Sequence, residues 1–85
     1  IKDKVSITGL NPDKLLDKIK SEFSEPRIDQ QDGLKLTWKN KWIHIRKSNT
    51  EPIMRIYAEA GNKNNLTESL NLIKSIIEKS RKKIS

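Results

Sequence analysis

Apolar and polar residues alternate with a period of two through the middle of the chain, and this alternation predicts β-strands. Three such runs lie between residues 34 and 59. Their apolar positions are Leu34, Leu36 and Trp38; Ile43 and Ile45; and Met54, Ile56 and Ala58. Residues 39–41 predict a hairpin turn between the first two runs, and residues 27–30 predict a short edge strand. We therefore expect an antiparallel sheet of three or four strands.

A segment with helical spacing of apolar residues precedes these strands. Asn11 is a good N-cap and Pro12 suits the first helical position. A helix is therefore expected over residues 12–24, ending before Pro26. Its apolar stripe contains Leu15, Leu16, Ile19 and Phe23. This stripe would cover one face of the predicted sheet.

A second amphipathic segment follows the last strand. Residues 61–64 predict a turn, and Asn65 with Glu68 three residues later resembles a capping box. The apolar stripe of the helix that follows contains Leu66, Leu70, Ile73 and Ile77. This spacing predicts a helix with one buried face.

Together these elements predict an α+β fold in two layers, with an antiparallel sheet of three or four strands carrying both helices on one face. The residues expected under the helices are Ile43, Ile45, Met54, Ile56 and Ala58. The opposite face is expected to carry Trp42, His44, Arg55 and Tyr57. This unusually aromatic face predicts either a contact surface for another domain or an ordinary mixed sheet face with partly covered side chains. His44 has no nucleophile or second ligand beside it in the sequence, so it is interpreted as structural.

Length and composition limit what the chain can do. Its 85 residues make one small domain, too small to form the deep cleft of a sugar-phosphate enzyme alone. The absence of cysteine excludes disulfides and thiolate zinc sites. No apolar run approaches the roughly 20 residues that span a bilayer, so a soluble, cytoplasmic protein without a membrane partner is expected. Because the first residue is isoleucine, the chain is interpreted as a piece of a longer protein.

The formal net charge of +7 indicates an anionic partner or a solvated basic surface. One basic group is expected beside a candidate site: Lys39, Lys41, Arg46 and Lys47. This group favours attraction for a phosphorylated ligand over general affinity for nucleic acid. A nucleic-acid-binding module stays as an alternative, although the sequence lacks an aromatic RNP-like strand and a G-x-x-G loop. The other alternative is a noncatalytic interaction domain that uses Trp42 and Tyr57.

Residues 46–52, with the sequence Arg-Lys-Ser-Asn-Thr-Glu-Pro, concentrate polar chemistry between two predicted strands. A phosphate group is matched by a planar guanidinium, short hydroxyls and the backbone N–H groups that a tight turn exposes. This segment offers all three. A simple hairpin turn, made of residue types that favour turns, stays open on the residues alone.

The same segment and the strand after it closely resemble the signature R-x-S-[GN]-T-E-P-x-x-R-[VI]-Y-x-E-A of the α-D-phosphohexomutases, here residues 46–60. The signature marks the fourth, C-terminal domain of that family, which includes phosphoglucomutase, phosphomannomutase, phosphoglucosamine mutase and phosphoacetylglucosamine mutase. Residues 32–36 also resemble the family's D-G-[VLI]-[KR] strand opening. The resemblance covers residues 5–80. Lys47 departs from it, since many members carry Pro or Ala there.

The resemblance implies a fold usually described as TATA-box-binding-protein-like, and an enzyme that moves a phosphoryl group between the 1- and 6-positions of a hexose. It makes residues 1–85 the single C-terminal, phosphate-binding domain of a four-domain enzyme. The other three domains would carry the reactive phosphoserine, the Mg²⁺-binding loop and the sugar-recognising loop. None of those motifs occurs here, so no catalytic residue, metal site or cofactor is expected in this chain, and the chain alone should be inactive. The expected partners are a hexose phosphate or bisphosphate and the other three domains.

Within this chain the resemblance implies a clamp for the phosphate that is not transferred. The residues expected to bind it are Arg46, Ser48, Asn49 and Thr50. The expected supporting residues are Lys47, Glu51 and Arg55. The guanidinium of Arg46 would make a two-pronged contact, while the two hydroxyls donate hydrogen bonds and the amide shapes the turn. Glu51 would either orient a guanidinium or stabilise the turn.

Overall fold

The computed structural model describes residues 1–84, which form five strands and two helices. In chain order the elements are β1 (Lys2–Ser6), α1 (Pro12–Ser21), β2 (Arg27–Asp29), β3 (Leu34–Thr37), β4 (Lys41–Lys47), β5 (Ile53–Ala60) and α2 (Lys63–Ile84). Neither described helix is both long enough and apolar enough to cross a membrane.

The strands of residues 1–84 form one sheet in the order β1-β5-β4-β3-β2, and every neighbouring pair is antiparallel. The predicted α+β class and antiparallel sheet are confirmed, but this sheet has five strands rather than three or four. The additional strand is β1, which pairs with β5 at one edge. Its alternation is weak because Val5 is its one apolar residue. The predicted edge strand at residues 27–30 is confirmed as β2.

One face of the sheet is covered by the helices and holds the core. The predicted core residues Ile43, Ile45, Met54 and Ile56 are completely buried, and Ala58 is nearly so. They pack in one cluster with apolar residues of both helices, including Leu15, Leu16 and Ile19 of α1 and Leu66, Ile73 and Ile77 of α2. Full burial of one such side chain contributes about 1.5–3 kcal/mol. A shift of one residue in register would expose this whole set, so burial fixes the pairing of β4 with β5.

The first helix begins as the sequence predicts but ends earlier. The side-chain oxygen of Asn11 accepts hydrogen bonds from the N–H groups of Asp13 and Lys14, at 3.0 and 3.2 Å. The helix ends at Ser21 rather than residue 24, where the Ser21 hydroxyl donates to a carbonyl of the last turn at 2.7 Å. Phe23 lies beyond this end, yet it still packs edge-to-face on Trp38, with 5.5 Å between the ring centres.

The start of α2 corrects the predicted turn and capping box. The helix begins at Lys63, so the predicted turn at 61–64 is reduced to two residues and Asn65 lies inside the helix. Asn62 takes the role assigned to Asn65, because its side-chain oxygen accepts the N–H of Asn64 at 2.9 Å. Asn62 follows Gly61 and immediately precedes the helix. Its side chain is therefore the first asparagine side chain that can accept hydrogen bonds from the free N–H groups of the first helical turn.

The face away from the helices has the predicted composition. Trp42, His44, Arg55 and Tyr57 all lie on it and are partly exposed. The ammonium group of Lys35 lies 5.2 Å from the centre of the Trp42 ring, which is a cation–π contact between β3 and β4. Whether this face contacts another domain stays a prediction.

An ion pair between β1 and α2 gives the fold a predictable dependence on pH. The Asp3 carboxylate lies 2.7 Å from the ammonium group of Lys74, and it also accepts the N–H of Lys4. These two hydrogen bonds, the one from Lys74 foremost, lower the pKa of Asp3 below its ordinary value near 3.8. Because folding lowers this pKa, the stabilisation is fully present above about pH 4 and is lost as the pH falls through the folded-state value.

We therefore expect Asp3→Asn to lower the free energy of unfolding at neutral pH by less than about 1 kcal/mol, since both side chains are partly exposed. Chemical denaturation at pH 7 and at about pH 2 measures this difference. The two proteins should become equally stable at the lower pH. A difference that is as large at pH 2 as at pH 7 would show that the ion pair is not its cause.

Candidate functional site

The segment that joins β4 to β5, residues 48–52, forms a compact loop beside the end of β1. The Ser48 N–H donates to the Ile53 carbonyl at 3.1 Å, and the Ile53 N–H donates to the Glu51 carbonyl at 2.8 Å. The Pro52 carbonyl accepts the N–H of Ile7 at 2.8 Å. These bonds fix both ends of the loop to the sheet.

The hydroxyl of Ser48 organises the interior of this loop. Its oxygen accepts the N–H groups of Thr50 and Glu51, each at 3.3 Å, and lies 3.4 Å from the Thr50 hydroxyl. A hydroxyl has two lone pairs and one proton, so with both lone pairs occupied Ser48 can act only as a donor toward anything else. The same bonds use backbone N–H groups that were expected to face a phosphate. Within the loop as described, the Asn49 N–H is the one left without a hydrogen bond.

Arg46 occupies the last outward-facing position of β4 before the loop. One terminal nitrogen of its guanidinium lies 3.2 Å from a carboxylate oxygen of Asp32. About half of the Arg46 side chain is exposed to solvent. The remaining N–H groups of the guanidinium make no other hydrogen bond to the described residues, so they are open to a ligand. The structure thus places the carboxylate of Asp32 against this guanidinium, a position that was one of the two expectations for Glu51.

Lys47 points to the opposite side of the sheet, toward α1. Its ammonium group lies 3.5 Å from the Asp13 carboxylate, in the first turn of that helix. An acidic group there is favoured by the partial positive charge of the helix N-terminus. Lys47 therefore lies beside the loop, and its positive charge is already paired with the carboxylate of Asp13.

The predicted basic group of Lys39, Lys41, Arg46 and Lys47 is wrong as a single cluster. Lys41 begins β4 and Lys47 ends it, so six residue steps of extended chain separate them by about 20 Å. The Lys41 ammonium group instead donates to Ser69 and to the Asn65 carbonyl, at 2.9 and 3.1 Å. It also lies 4.4 Å from the centre of the Trp38 ring. Lys41 thus joins the sheet to α2 and is remote from the loop.

A cleft of about 460 Å³ lies between α1, the segment before β3 and the end of β4. Its described lining is Asp13, Leu16, Asp17, Gln30, Asp32, Gly33, Arg46, Lys47 and Asn49. Three predicted site residues therefore meet here: Arg46, Lys47 and Asn49. Ser48 and Thr50 lie in the adjoining loop but do not line the cleft. Arg55 is directly opposite Arg46 across β4 and β5, and it lines a different cleft together with Tyr57.

The lining of this cleft is more acidic than the sequence predicts. Among the described lining residues, two cations face three carboxylates, those of Asp13, Asp17 and Asp32. The sequence does not predict that these carboxylates line the site, although Asp32 is the first residue of the Asp-Gly-Leu-Lys segment at 32–35. In the part of the chain that the structure describes, no group of three or more His, Cys, Asp or Glu side chains is placed to hold a metal ion. Arg46 and Asn49 supply hydrogen-bond donors to the same cleft.

Comparison with known proteins points to one family. Residues 5–74 match the family model described as phosphoglucomutase/phosphomannomutase, C-terminal domain. A phosphomannomutase of Methanocaldococcus jannaschii is 35% identical over 65 residues, which cover 76% of this chain and 14% of that protein. A phosphoglucosamine/phosphogalactosamine mutase of Sulfurisphaera tokodaii is 37% identical over 81 residues, which cover 92% of this chain and 18% of that protein.

A third relative is similar in the same way. A probable phosphoglucosamine mutase of Pyrococcus horikoshii is 43% identical over 70 residues, which cover 76% of this chain and 15% of that protein. The chain thus spans less than a fifth of the length of these three relatives. The matched region of the family model includes β2 to β5, the 48–52 loop and the cleft beside it.

Proposed function

Since the chain belongs to the phosphoglucomutase/phosphomannomutase family and matches its C-terminal domain, we propose that it binds the phosphate group of a hexose phosphate that is not being transferred. The observation that carries the proposal is the position of Arg46. Its guanidinium is held on one side by Asp32 and is open on the other, beside Asn49 in the cleft. A planar guanidinium with a free edge is suited to a two-pronged contact with a phosphate.

The loop would complete this contact from its own side. With both lone pairs of Ser48 used by loop N–H groups, its proton is donated to the Thr50 hydroxyl across a long 3.4 Å contact and can turn from there to a phosphate oxygen. The Asn49 N–H and side-chain amide add two further kinds of donor. Thr50 offers a hydroxyl next to that of Ser48. Together these groups supply neutral donors around one fixed positive charge, which suits a phosphate that must bind and later leave.

The contribution of such a clamp to an isomerase reaction is positional. Binding energy from a phosphate that does not react can be used to place the distant hydroxyl against the phosphoryl donor. Correct placement of reacting groups accounts for several kcal/mol of the barrier in such reactions. Loss of the clamp should therefore lower turnover as well as affinity.

The remaining parts of the reaction belong to the rest of the enzyme in this proposal. Mg²⁺ is the metal that the family implies, but the acidic residues described here do not form a group that fits it. The metal and the phosphoserine would therefore be held by the other three domains, and the chain alone would be inactive. The three relatives are named for mannose, glucosamine and galactosamine phosphates, so the substrate class common to them is a phosphorylated hexose or hexosamine.

A titration followed by NMR tests this proposal directly. Inorganic phosphate or a hexose 6-phosphate should shift the amide signals of residues 48–50, with a dissociation constant on the order of 1 mM because most of the enzyme's cleft is missing. Arg46→Ala should abolish the shifts. Arg27→Ala is the matched control, because Arg27 is an exposed arginine of β2 that pairs with Thr37 and does not line the cleft, and it should leave binding unchanged.

A parallel titration with single-stranded RNA distinguishes the phosphate clamp from the main alternative, a nucleic-acid-binding module. RNA that shifted the outer face around Trp42 and Tyr57, with phosphate leaving the loop unaffected, would contradict the clamp and support a nucleic-acid-binding module. Absence of both responses would leave the noncatalytic interaction domain as the better interpretation.

A further inference from the structure

Asp32 makes contacts with two side chains of the same strand. Its carboxylate lies 3.2 Å from the guanidinium of Arg46, and its main-chain carbonyl lies 2.5 Å from the Nε2 atom of His44. His44 and Arg46 are two residues apart on β4 and point to the same side of the sheet. β4 therefore holds Asp32 at two points, through His44 and through Arg46.

The direction of the His44 contact follows from its chemistry. A carbonyl oxygen can only accept a hydrogen bond, so Nε2 of His44 must carry the proton and donate it. The imidazole thereby fixes the backbone of Asp32, while the carboxylate of the same residue reaches Arg46. His44 therefore has a structural role, and the residue that it holds, Asp32, contacts Arg46 of the candidate site.

Gly33 allows the backbone of this segment to approach β4 so closely. Its φ angle is +72°, in the left-handed region that glycine adopts without strain. A Cβ atom at this position would overlap the Ile45 carbonyl oxygen and would lie 2.9 Å from the Cβ of Arg46. The close approach brings Asp32 within reach of the arginine.

The Asp32–Arg46 ion pair contributes more to orientation than to stability. The two side chains are 72% and 47% exposed, and ion pairs this exposed stabilise a fold only slightly. The contact uses a single terminal nitrogen of the guanidinium. It therefore limits the freedom of a long side chain while leaving the edge formed by Nε and the other terminal nitrogen open.

We propose that Asp32 is a positioning residue for Arg46. Held by His44 and by the tight backbone at Gly33, it orients the guanidinium so that its free edge faces the cleft. This inference rests on the proposed function, because the free edge is the one that would meet the phosphate. The negative charge of Asp32 opposes an anion, so the residue would favour ligands able to use the oriented edge over anions attracted by charge alone.

Two substitutions separate orientation from charge. Asp32→Asn and Asp32→Ala both remove one negative charge from the cleft. The loss of this charge alone should raise the affinity for an anion equally in the two variants. Asparagine keeps an oxygen that can accept the Arg46 hydrogen bond, whereas alanine does not. Asp17→Ala is the matched control, because it removes a carboxylate from the same cleft that makes no ion pair with Arg46.

The experiment has one readout without a ligand and one with inorganic phosphate. The NMR signal of the Arg46 Nε–H group should show a restrained side chain in the unaltered chain, in Asp32→Asn and in Asp17→Ala, and a mobile one in Asp32→Ala. In phosphate titrations Asp32→Asn should bind about threefold more tightly than Asp32→Ala.

Equal mobility of Arg46 in Asp32→Asn and Asp32→Ala would overturn the positioning role, and so would equal phosphate affinity of the two variants. If no variant bound phosphate at all, the proposed function would fail. The mobility readout would still decide the positioning role in that case.

Discussion

Replacing Gly33 with alanine is expected to destabilise the domain by roughly 2–5 kcal/mol. Two costs add at this position. An alanine in the left-handed region costs about 1–2 kcal/mol, and the new Cβ would overlap the backbone of Ile45 and crowd Arg46. Both contacts lie on the central strand β4, so neither can be relieved by moving the far end of a flexible side chain. Domains of this size have about 5–15 kcal/mol of stability in total, so the expected loss is large.

Two other glycines separate these costs. Gly9 also has a positive φ, +81°, but a Cβ there would meet nothing within 4 Å. Gly9→Ala should therefore show the conformational cost alone, about 1–2 kcal/mol. Gly61 has neither a positive φ nor a close neighbour, and Gly61→Ala should change stability by less than about 0.5 kcal/mol.

Urea denaturation of the three alanine variants measures these differences. The expected order of destabilisation is Gly33, then Gly9, then Gly61. If Gly33→Ala cost no more than Gly9→Ala, the close approach of residues 32–33 to β4 would not be an essential feature of the fold. The same variant should also displace Asp32, and so make the Arg46 side chain more mobile even at temperatures where the domain stays folded.

The parts of the fold that could be predicted from sequence are those with strong local patterns. β4 and β5 alternate apolar and polar residues along most of their length, and burial of one face then determines the register. β1 lacks such a pattern because lysine residues dominate its outward face and Val5 is its one apolar residue. Its position is determined by pairing with β5, which lies about 50 residues later in the chain, and no local rule describes that pairing.

The geometry of the candidate site could be predicted only in part from the sequence. The residue types in the 46–52 segment favour a phosphate ligand, while a simple hairpin turn stays open on the residues alone. Sequence proximity placed Lys41 with them, whereas the extension of β4 carries it to the other end of the sheet. The contact between Asp32 and Arg46 joins segments 14 residues apart, through a glycine backbone whose φ angle is not visible in the sequence. The carboxylates that line the cleft could therefore be identified only from the structure.

The largest functional effect is expected for Arg46→Lys in the full-length mutase that would contain this domain. Lysine keeps the positive charge but loses the planar arrangement of donors, so it cannot hold Asp32 on one edge and a phosphate on the other. A misplaced phosphate moves the reacting hydroxyl away from the donor. We expect a loss of about 2–3 kcal/mol in transition-state stabilisation, measured as kcat/KM and divided between lower turnover and weaker apparent affinity.

Lys47→Ala is the matched comparison for this prediction. Lys47 is the neighbouring residue and also lines the cleft, but its ammonium group faces α1 and is paired with Asp13. Its removal takes one positive charge from the cleft without disturbing the guanidinium, so kcat/KM should fall by less than about 1 kcal/mol in equivalent free energy. An unimpaired Arg46→Lys enzyme together with a severely impaired Lys47→Ala enzyme would contradict this division of roles. That result would indicate that total charge at the cleft, rather than the oriented edge of one guanidinium, determines how the phosphate is held.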